Sequence, residues 1–310
     1  MDVAIIICTY NRADNLRRTL EVMCALQVPA DLQWEVVVVD NNSTDATRAV
    51  CVEVGGRLPL RYIFEPRQGK SHALNRAVAE TTAPLLTFTD DDVDVDGEWL
   101  LHIWDAAQRH PQASFFGGRI LPRWEAPPPR WLAQNSARLL RGVAVHYDSG
   151  KTEHLLSGKV KLLCFGANLV LRRSVFDRGI HFPEHVGPNG EIPMRGEETE
   201  LMQQILALGN HGVYVPNALV HHRNPAQRMT ERYLREWFTG YGMTEVRLGH
   251  VRRGLCVFGA PLRVWFKFGW YSAVYGLSRW TLPSRIWLRA EVKSATRLGI
   301  IQEFRRRHTV

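Results

Sequence analysis

A chain of 310 residues, 45% hydrophobic and 23% charged, is long enough for one large α/β domain or two smaller ones and too apolar to be disordered. The formal net charge of +8 is unevenly placed: residues 1–222 carry 22 basic and 26 acidic side chains, residues 223–310 carry 17 and 5. That division argues against a diffusely basic nucleic-acid binder and defines a slightly acidic body with a basic tail.

The first ninety residues repeat one pattern. Residues 3–8 (VAIIIC) form an apolar run with no basic stretch before it, which predicts a buried strand and not a signal peptide. Leu16, Leu20, Met23 and Leu26 then recur at helical spacing. Residues 35–39 are the next strand, and Ser43, Thr44 or Asp45 can cap a helix running toward Val54. Residues 60–64 are a third strand, Ser71 caps a helix through Glu80, and residues 84–89 are a fourth strand. Strands alternating with helices predict a mainly parallel sheet flanked by helices, with ligands bound beyond the strands' carboxyl ends. The segments placed there are residues 9–12, 40–42, 65–70 and 90–92.

Further along, residues 98–110 read as a helix and 114–120 as a strand, while the prolines of residues 122–130 predict an irregular excursion. Residues 162–171 read as a buried strand or strand pair, 181–196 as a Gly- and Pro-rich loop, and 197–208 as a helix. Residues 213–215 and 218–222 read as short strands, and the tail as helical with breaks at 254–261 and Pro283. Its longest apolar stretch, residues 268–278, lies between Lys267 and Arg279 and is too short to span a bilayer. Five scattered cysteines without a CxxC pair suit a reducing compartment. The chain is therefore expected to be cytoplasmic, with any membrane contact peripheral.

Asp90-Asp91-Asp92 close the fourth strand. Three adjacent carboxylates repel one another unless a cation compensates, and a hard divalent ion such as Mg²⁺ takes oxygen ligands and substrate phosphates together. An ordinary solvated acidic loop is the plainer alternative. Asp40, after four valines, can accept hydrogen bonds from a base or ribose or can serve as a turn-former. Glu197 and Glu198 open a helix, where the dipole alone favours acids but where a carboxylate can also act as general base. His221-His222 follow an apolar strand, and a neutral imidazole there can ligate the same ion. There is no GxGxxG after the first strand and no GxxxxGK[ST], which argues against a dinucleotide dehydrogenase and a P-loop enzyme.

Seven motifs in order make the sequence resemble the family 2 glycosyltransferases, inverting enzymes with the nucleotide-sugar-binding GT-A fold. They are Thr9-Tyr10-Asn11-Arg12, Val39-Asp40-Asn41-Asn42-Ser43, Gly69-Lys70-Ser71-His72-Ala73-Leu74-Asn75, Asp90-Asp91-Asp92, Gly166-Ala167-Asn168, Gly196-Glu197-Glu198-Thr199-Glu200-Leu201 and the run from Val215 to His222. The resemblance implies an α/β GT-A catalytic domain over residues 1–222 and a basic, aromatic-rich helical extension over 223–310. It implies donor contacts from Thr9, Tyr10, Arg12, Asp40, Asn42, Lys70, Asp90 and Asp91. Mg²⁺ or Mn²⁺ would be held by Asp92, Asp90 and His222. The family's usual base is an Asp at the position of Glu198, so Glu197 and Glu198 both stand as catalytic candidates.

The implied partners are a nucleotide-sugar donor and a carbohydrate or lipid-linked acceptor. The tail interleaves cations with Trp237, Phe238, Trp265, Phe266, Trp270 and Trp280, among other aromatics. That composition predicts contact with an anionic membrane surface, at the inner face. A packed helical subdomain is the alternative, and nucleic acid the least favoured partner. A nucleotidyltransferase and a degenerate nucleotide-sugar- or lipid-binding protein are the competing functions.

Overall fold

The computed structural model describes residues 1–137, 139–158, 164–189 and 194–308. Along the chain, β1 (Val3–Thr9), α1 (Ala13–Met23), β2 (Trp34–Asp40), α2 (Thr47–Val54), β3 (Leu60–Phe64), α3 (Lys70–Glu80) and β4 (Leu85–Asp90) repeat one strand–helix unit. There follow β5 (Val93–Val95), α4 (Trp99–Arg109), β6 (Phe115–Trp124) and the single turns α5 (Arg130–Ala133) and α6 (Arg141–Ala144). Next come β7 (His154–Leu156), β8 (Leu169–Arg172), the turn α7 (Ser174–Asp177), α8 (Glu197–Ala207) and β9 (Gly212–Asn224). Helix α9 (Glu231–Arg247), the hairpin β10 (Cys256–Val257) and β11 (Ala260–Pro261), α10 (Leu262–Ser278) and α11 (Ser284–His308) complete the described chain.

Two compact units divide these elements. The first takes Met1–Arg123, Val145–Glu184 and Glu197–Arg223; the second takes Trp124–Ala144, His185–Gly196 and Asn224–Val310. The first unit holds a mixed sheet of order β3-β2-β1-β4-β8-β6-β9-β5, with β7 paired to β9. It is parallel across β3-β2-β1-β4 and antiparallel where β8 joins β4 and β6. The central strands β1 and β2 are buried on both faces because they are runs of Val and Ile, and Leu16, Leu20 and Met23 of α1 join the same core.

Several sequence expectations shift at their edges. None of Ser43, Thr44 and Asp45 is the N-cap of α2: that position is Ala46, with no capping side chain, and Asp45 just before it accepts from the Thr47 amide at 3.0 Å. Ser71 is no cap: α3 already begins at Lys70, and Ser71 is buried within it. Residues 122–124 continue β6 through Pro122, beyond Gly117 where pairing with β8 ends and the missing N–H costs that ladder nothing. The strand expected from residue 162 begins at Leu169, because Gly166–Asn168 wind into a 3₁₀ turn. Residues 162 and 163 lie outside the described residues, as do 190–193 of the loop. The two short strands expected around Pro216 are one continuous strand, β9.

The second unit is helical. Leu234 and Phe238 of α9 pack with Trp287, Leu288 and Ala295 of α11, and Val264 of α10 joins Val246, Ile300, Ile301 and Phe304. Helices α9 and α11 touch backbone to backbone. A Cβ on Gly242 would lie 2.1 Å from the Thr296 carbonyl, and one on Gly299 would lie 1.9 Å from that of Thr239. Arg235 grips the buried Glu291 of α11 at 2.7 and 2.8 Å, and Arg247 meets the buried Glu303 at 2.7 Å. No described helix is long and apolar enough to cross a membrane.

Candidate active site

Parallel register brings the chemistry-bearing residues to one edge of the sheet. Thr9 is paired with Asp40, and Cys8 with Asp90, so three strand ends finish side by side. The chain then turns into β5, which pairs antiparallel with β9 and sets Val93 opposite His222. Helices α3 and α8 begin at Lys70 and Glu197. The site is thus built from loops and element ends on a rigid, apolar sheet.

One buried network runs through Arg12. Its guanidinium meets the Asp91 carboxylate at 2.6 Å and that of Asp92 at 2.7 Å. Thr9 Oγ1 donates to Asp91 Oδ2 at 2.7 Å, and His222 Nε2 lies 3.0 Å from Asp92 Oδ1. Burial would lower the Arg12 pKa, but Asp91 and Asp92 hold it well above its usual range. Burial pushes Asp91 up to about 6 even with Arg12 beside it. The backbone of this turn is clamped as well. Thr19 Oγ1 and Arg223 Nη2 donate to the Asp91 carbonyl at 2.8 and 3.1 Å, and buried Arg223 also pairs with Asp94.

A second network centres on Lys70. Its Nζ lies 3.1 Å from Asp90 Oδ1, 2.8 Å from Glu198 Oε1 and 3.5 Å from Glu197 Oε1. Burial opposes the ammonium charge, yet Asp90, Glu198 and Glu197 raise its pKa well above the ordinary value. Glu197 is buried with Oε2 lacking a hydrogen-bond partner among the described residues. Burial, then repulsion from Glu198, lifts its pKa to about 7. Gly166 makes room for Glu198: a Cβ there would stand 2.1 Å from Glu198 Oε1.

Of the residues the sequence singles out, Thr9, Arg12, Lys70, Asp90, Asp91, Asp92, Glu197, Glu198 and His222 meet in these two networks. Asp40 stands on the neighbouring strand and is already engaged, accepting from Tyr62 Oη at 2.7 Å and the Ser43 amide at 2.9 Å. Tyr10 and Asn42 have exposed side chains. Asp91, expected among donor contacts, turns its carboxylate inward to Thr9 and Arg12, while Asp92 pairs with Arg12 and His222 and Asp90 with Lys70. Sequence reading gave no role to Tyr62, Gly166 or Arg223. Only Gly166 had a visible signal, its place in the Gly-Ala-Asn motif.

Asp90, Asp92 and His222 offer ligand atoms all within 4.8 Å of one another. Two carboxylates and an imidazole at that spacing fit Mg²⁺ or Mn²⁺. The alternating sheet, the strand-end acids and the glutamates opening α8 together define a GT-A glycosyltransferase. The family model described as glycosyl transferase family 2 matches residues 4–180, more than half the chain, and the protein belongs to that family.

Among curated relatives, the chain is 26% identical to a succinoglycan biosynthesis protein of Rhizobium meliloti, covering 78% of this chain and 73% of that one. It is 22% identical to a glucosyl-dolichyl phosphate glucuronosyltransferase of Haloferax volcanii, over 72% of this chain and 69% of the other. Among solved structures, a mannosyltransferase of Pyrobaculum calidifontis in complex with GDP-Man and Mn²⁺ is similar in fold. Its TM-score is 0.64 at 17% identity, covering 97% of this chain and 86% of that one.

Proposed function

We propose that the protein is a metal-dependent inverting glycosyltransferase that moves a sugar from a nucleoside diphosphate sugar to a hydroxyl acceptor. The observation carrying this reading is Lys70, whose ammonium joins Asp90 of the acid cluster to Glu198 across one small site. Glu198 is the general base. It is less deeply buried than Glu197 and opens opposite Gly166, so it can reach an acceptor, whereas Glu197 is enclosed and titrates near neutrality. Glu198 takes the proton of the acceptor hydroxyl as its oxygen bonds to the anomeric carbon. The bond from that carbon to the diphosphate breaks on the opposite face. Asp90, Asp92 and His222 would hold Mg²⁺ or Mn²⁺, which supplies Lewis-acid stabilisation of the departing diphosphate when bound. Thr9, Arg12 and Asp40 border the nucleoside side of the site, with Tyr10, Asn42 and Lys70 around it.

The acceptor is a surface polysaccharide precursor or a lipid-linked glycan, as the names of the two curated relatives suggest. The enzyme works as a peripheral protein at the inner face of the membrane, with residues 223–310 serving acceptor or membrane association. The test is a panel of UDP, GDP, dTDP and CDP sugars with and without Mn²⁺ or Mg²⁺. Release of the nucleoside diphosphate and an inverted anomeric centre in the product support the reading. Release of pyrophosphate, or nucleotide binding without turnover, overturns it.

A further inference from the structure

Helix α10 is apolar nearly all round, and such a helix is normally enclosed. Here one side is enclosed: Val264 and Ser278 are buried, and Trp265 and Phe268 pack on the small core around Phe304. The other side is open. Phe266 is 70% exposed, Trp270 68% and Leu277 79%, three residues that share a face at helical spacing. Leu262, Trp265, Phe266, Gly269 and Trp270 line a shallow groove of about 660 Å³ along that side. Just beyond the helix Trp280 is 84% exposed, and just before it Phe258 is 82% exposed at the tip of the β10–β11 hairpin, with φ of 49°. The hairpin is tied to the helix by Trp265 Nε1, which donates to the Val257 carbonyl at 2.9 Å.

The charge on this surface has one sign. Residues 246–290 contain eight Lys and Arg and no Asp or Glu. The five acids elsewhere in residues 223–310 are all taken by cations or imidazoles. Glu231 pairs with Arg279, Glu236 with Arg232, Glu245 with His250, Glu291 with Arg235 and Glu303 with Arg247. Arg252, Arg253, Arg263, Lys267 and Arg285 are left without a carboxylate partner among the described residues, and all five are exposed. Arg263 and Lys267 flank Phe266 and Trp270 on the helix itself.

We infer that the open face of α10, with Phe258 and Trp280 at its ends, docks on an anionic lipid bilayer, the rings entering the headgroup layer and the free cations pairing with lipid phosphates. This rests on the peripheral-membrane reading above and assigns it a surface. An exposed apolar patch rimmed by cations fits an interface with negative charge and acyl chains. A second copy of the chain fits poorly, because a two-fold contact on this face would set like charges together with no acid to pair them. The hairpin and helix are held by their own hydrogen bond and core, so the face needs no partner in order to form.

The experiment uses the full chain with vesicles of phosphatidylglycerol and phosphatidylcholine, and with phosphatidylcholine alone, at low and high salt. Each cation near an anionic surface contributes roughly fivefold to partitioning. Arg263→Glu with Lys267→Glu should therefore lower binding to the anionic vesicles at least ~25-fold and flatten its salt dependence. Phe266→Ser with Trp270→Ser should lower binding at every salt concentration. Lipids brominated in the acyl chain should quench tryptophan emission in the wild type and less so in Trp270→Phe, which retains the apolar surface and keeps the assay valid if the serine variant unfolds. Wild-type binding that all three variants leave intact overturns this face while sparing the peripheral reading. No wild-type binding at low salt overturns both. A dimer in light scattering that Phe266→Ser with Trp270→Ser dissolves assigns the face to a second copy and overturns the lipid.

Discussion

Gly166 and Glu198 fit as a bare backbone against a carboxylate: a methyl group on Gly166 would lie 2.1 Å from Glu198 Oε1. The clash runs along one side chain, with Glu198 Cδ at 2.7 Å and Cγ at 2.9 Å, and none of these nearest atoms is backbone, so the whole Glu198 side chain must swing aside while the fold stays. Gly166→Ala should displace the carboxylate from Lys70 and from its line to an acceptor. A misplacement of about 1 Å can cost roughly 10²-fold in rate. Transfer kinetics should show that loss in kcat with thermal unfolding nearly unchanged. Unaltered kcat would mean Glu198 need not hold this position.

Removing the charge of Glu198 tests its role directly. General-base catalysis contributes about 10²–10⁴-fold, so Glu198→Gln should lose at least the lower figure in kcat while binding the nucleotide sugar normally. Glu197→Gln, in the enclosed position, should retain most of the activity. Equal losses in the two variants would leave the base unassigned, and a greater loss in Glu197→Gln would reverse the assignment.

The metal group gives a separate readout. Chelation with EDTA should abolish transfer, and Mn²⁺ or Mg²⁺ should restore it. Asp92→Ala removes one of the proposed ligands and a partner of both Arg12 and His222. It should abolish transfer while leaving the circular dichroism spectrum unchanged, because the apolar sheet beneath the site is not touched. Full activity in EDTA, or in Asp92→Ala, would rule out the assigned group.

How much of this was readable beforehand follows from where the signal is local. Strands β1, β2 and β4 are mainly apolar, and Asp40 and Asp90, which end β2 and β4, stand out for that reason. The motifs therefore singled out Asp90, Asp92, Glu198 and His222 from the sequence alone. Contacts between distant parts of the chain were not readable. Arg12 is bound to Asp91 and Asp92, 79 and 80 residues away in the sequence (91 − 12 and 92 − 12), and neither has a local pattern announcing the other. Asp40 and Tyr62 meet only because β2 and β3 pair. In the tail, composition could not sort the aromatics. Trp287 is core and Trp270 is surface, and helical packing decides which.

Close packing in the second unit carries its own prediction. Gly242 of α9 faces the Thr296 carbonyl of α11 at a distance no Cβ can occupy. Backbone cannot swing aside as a side chain does, so Gly242→Ala should part the two helices. Overpacking of this kind costs about 1–3 kcal/mol, and the melting temperature should fall by several degrees. A rise in melting temperature would mean that the helices can separate there without loss.

The last prediction concerns pH. Glu197 has its folded pKa raised to about 7 by burial and by Glu198, against about 4.3 in an unfolded chain. Between those values the unfolded chain has released a proton that the folded protein still holds. Stability from this site is thus fully present below about pH 4.3 and is lost as pH rises through 7. Glu197→Gln keeps the shape without the titration, so it should gain stability relative to the wild type as pH is raised from 5 to 8. Urea unfolding of both proteins at pH 5, 6, 7 and 8 measures the difference. A difference that stays flat, or that shrinks as pH rises, would mean that Glu197 is already ionised in the folded protein at pH 5, with Lys70 outweighing its burial.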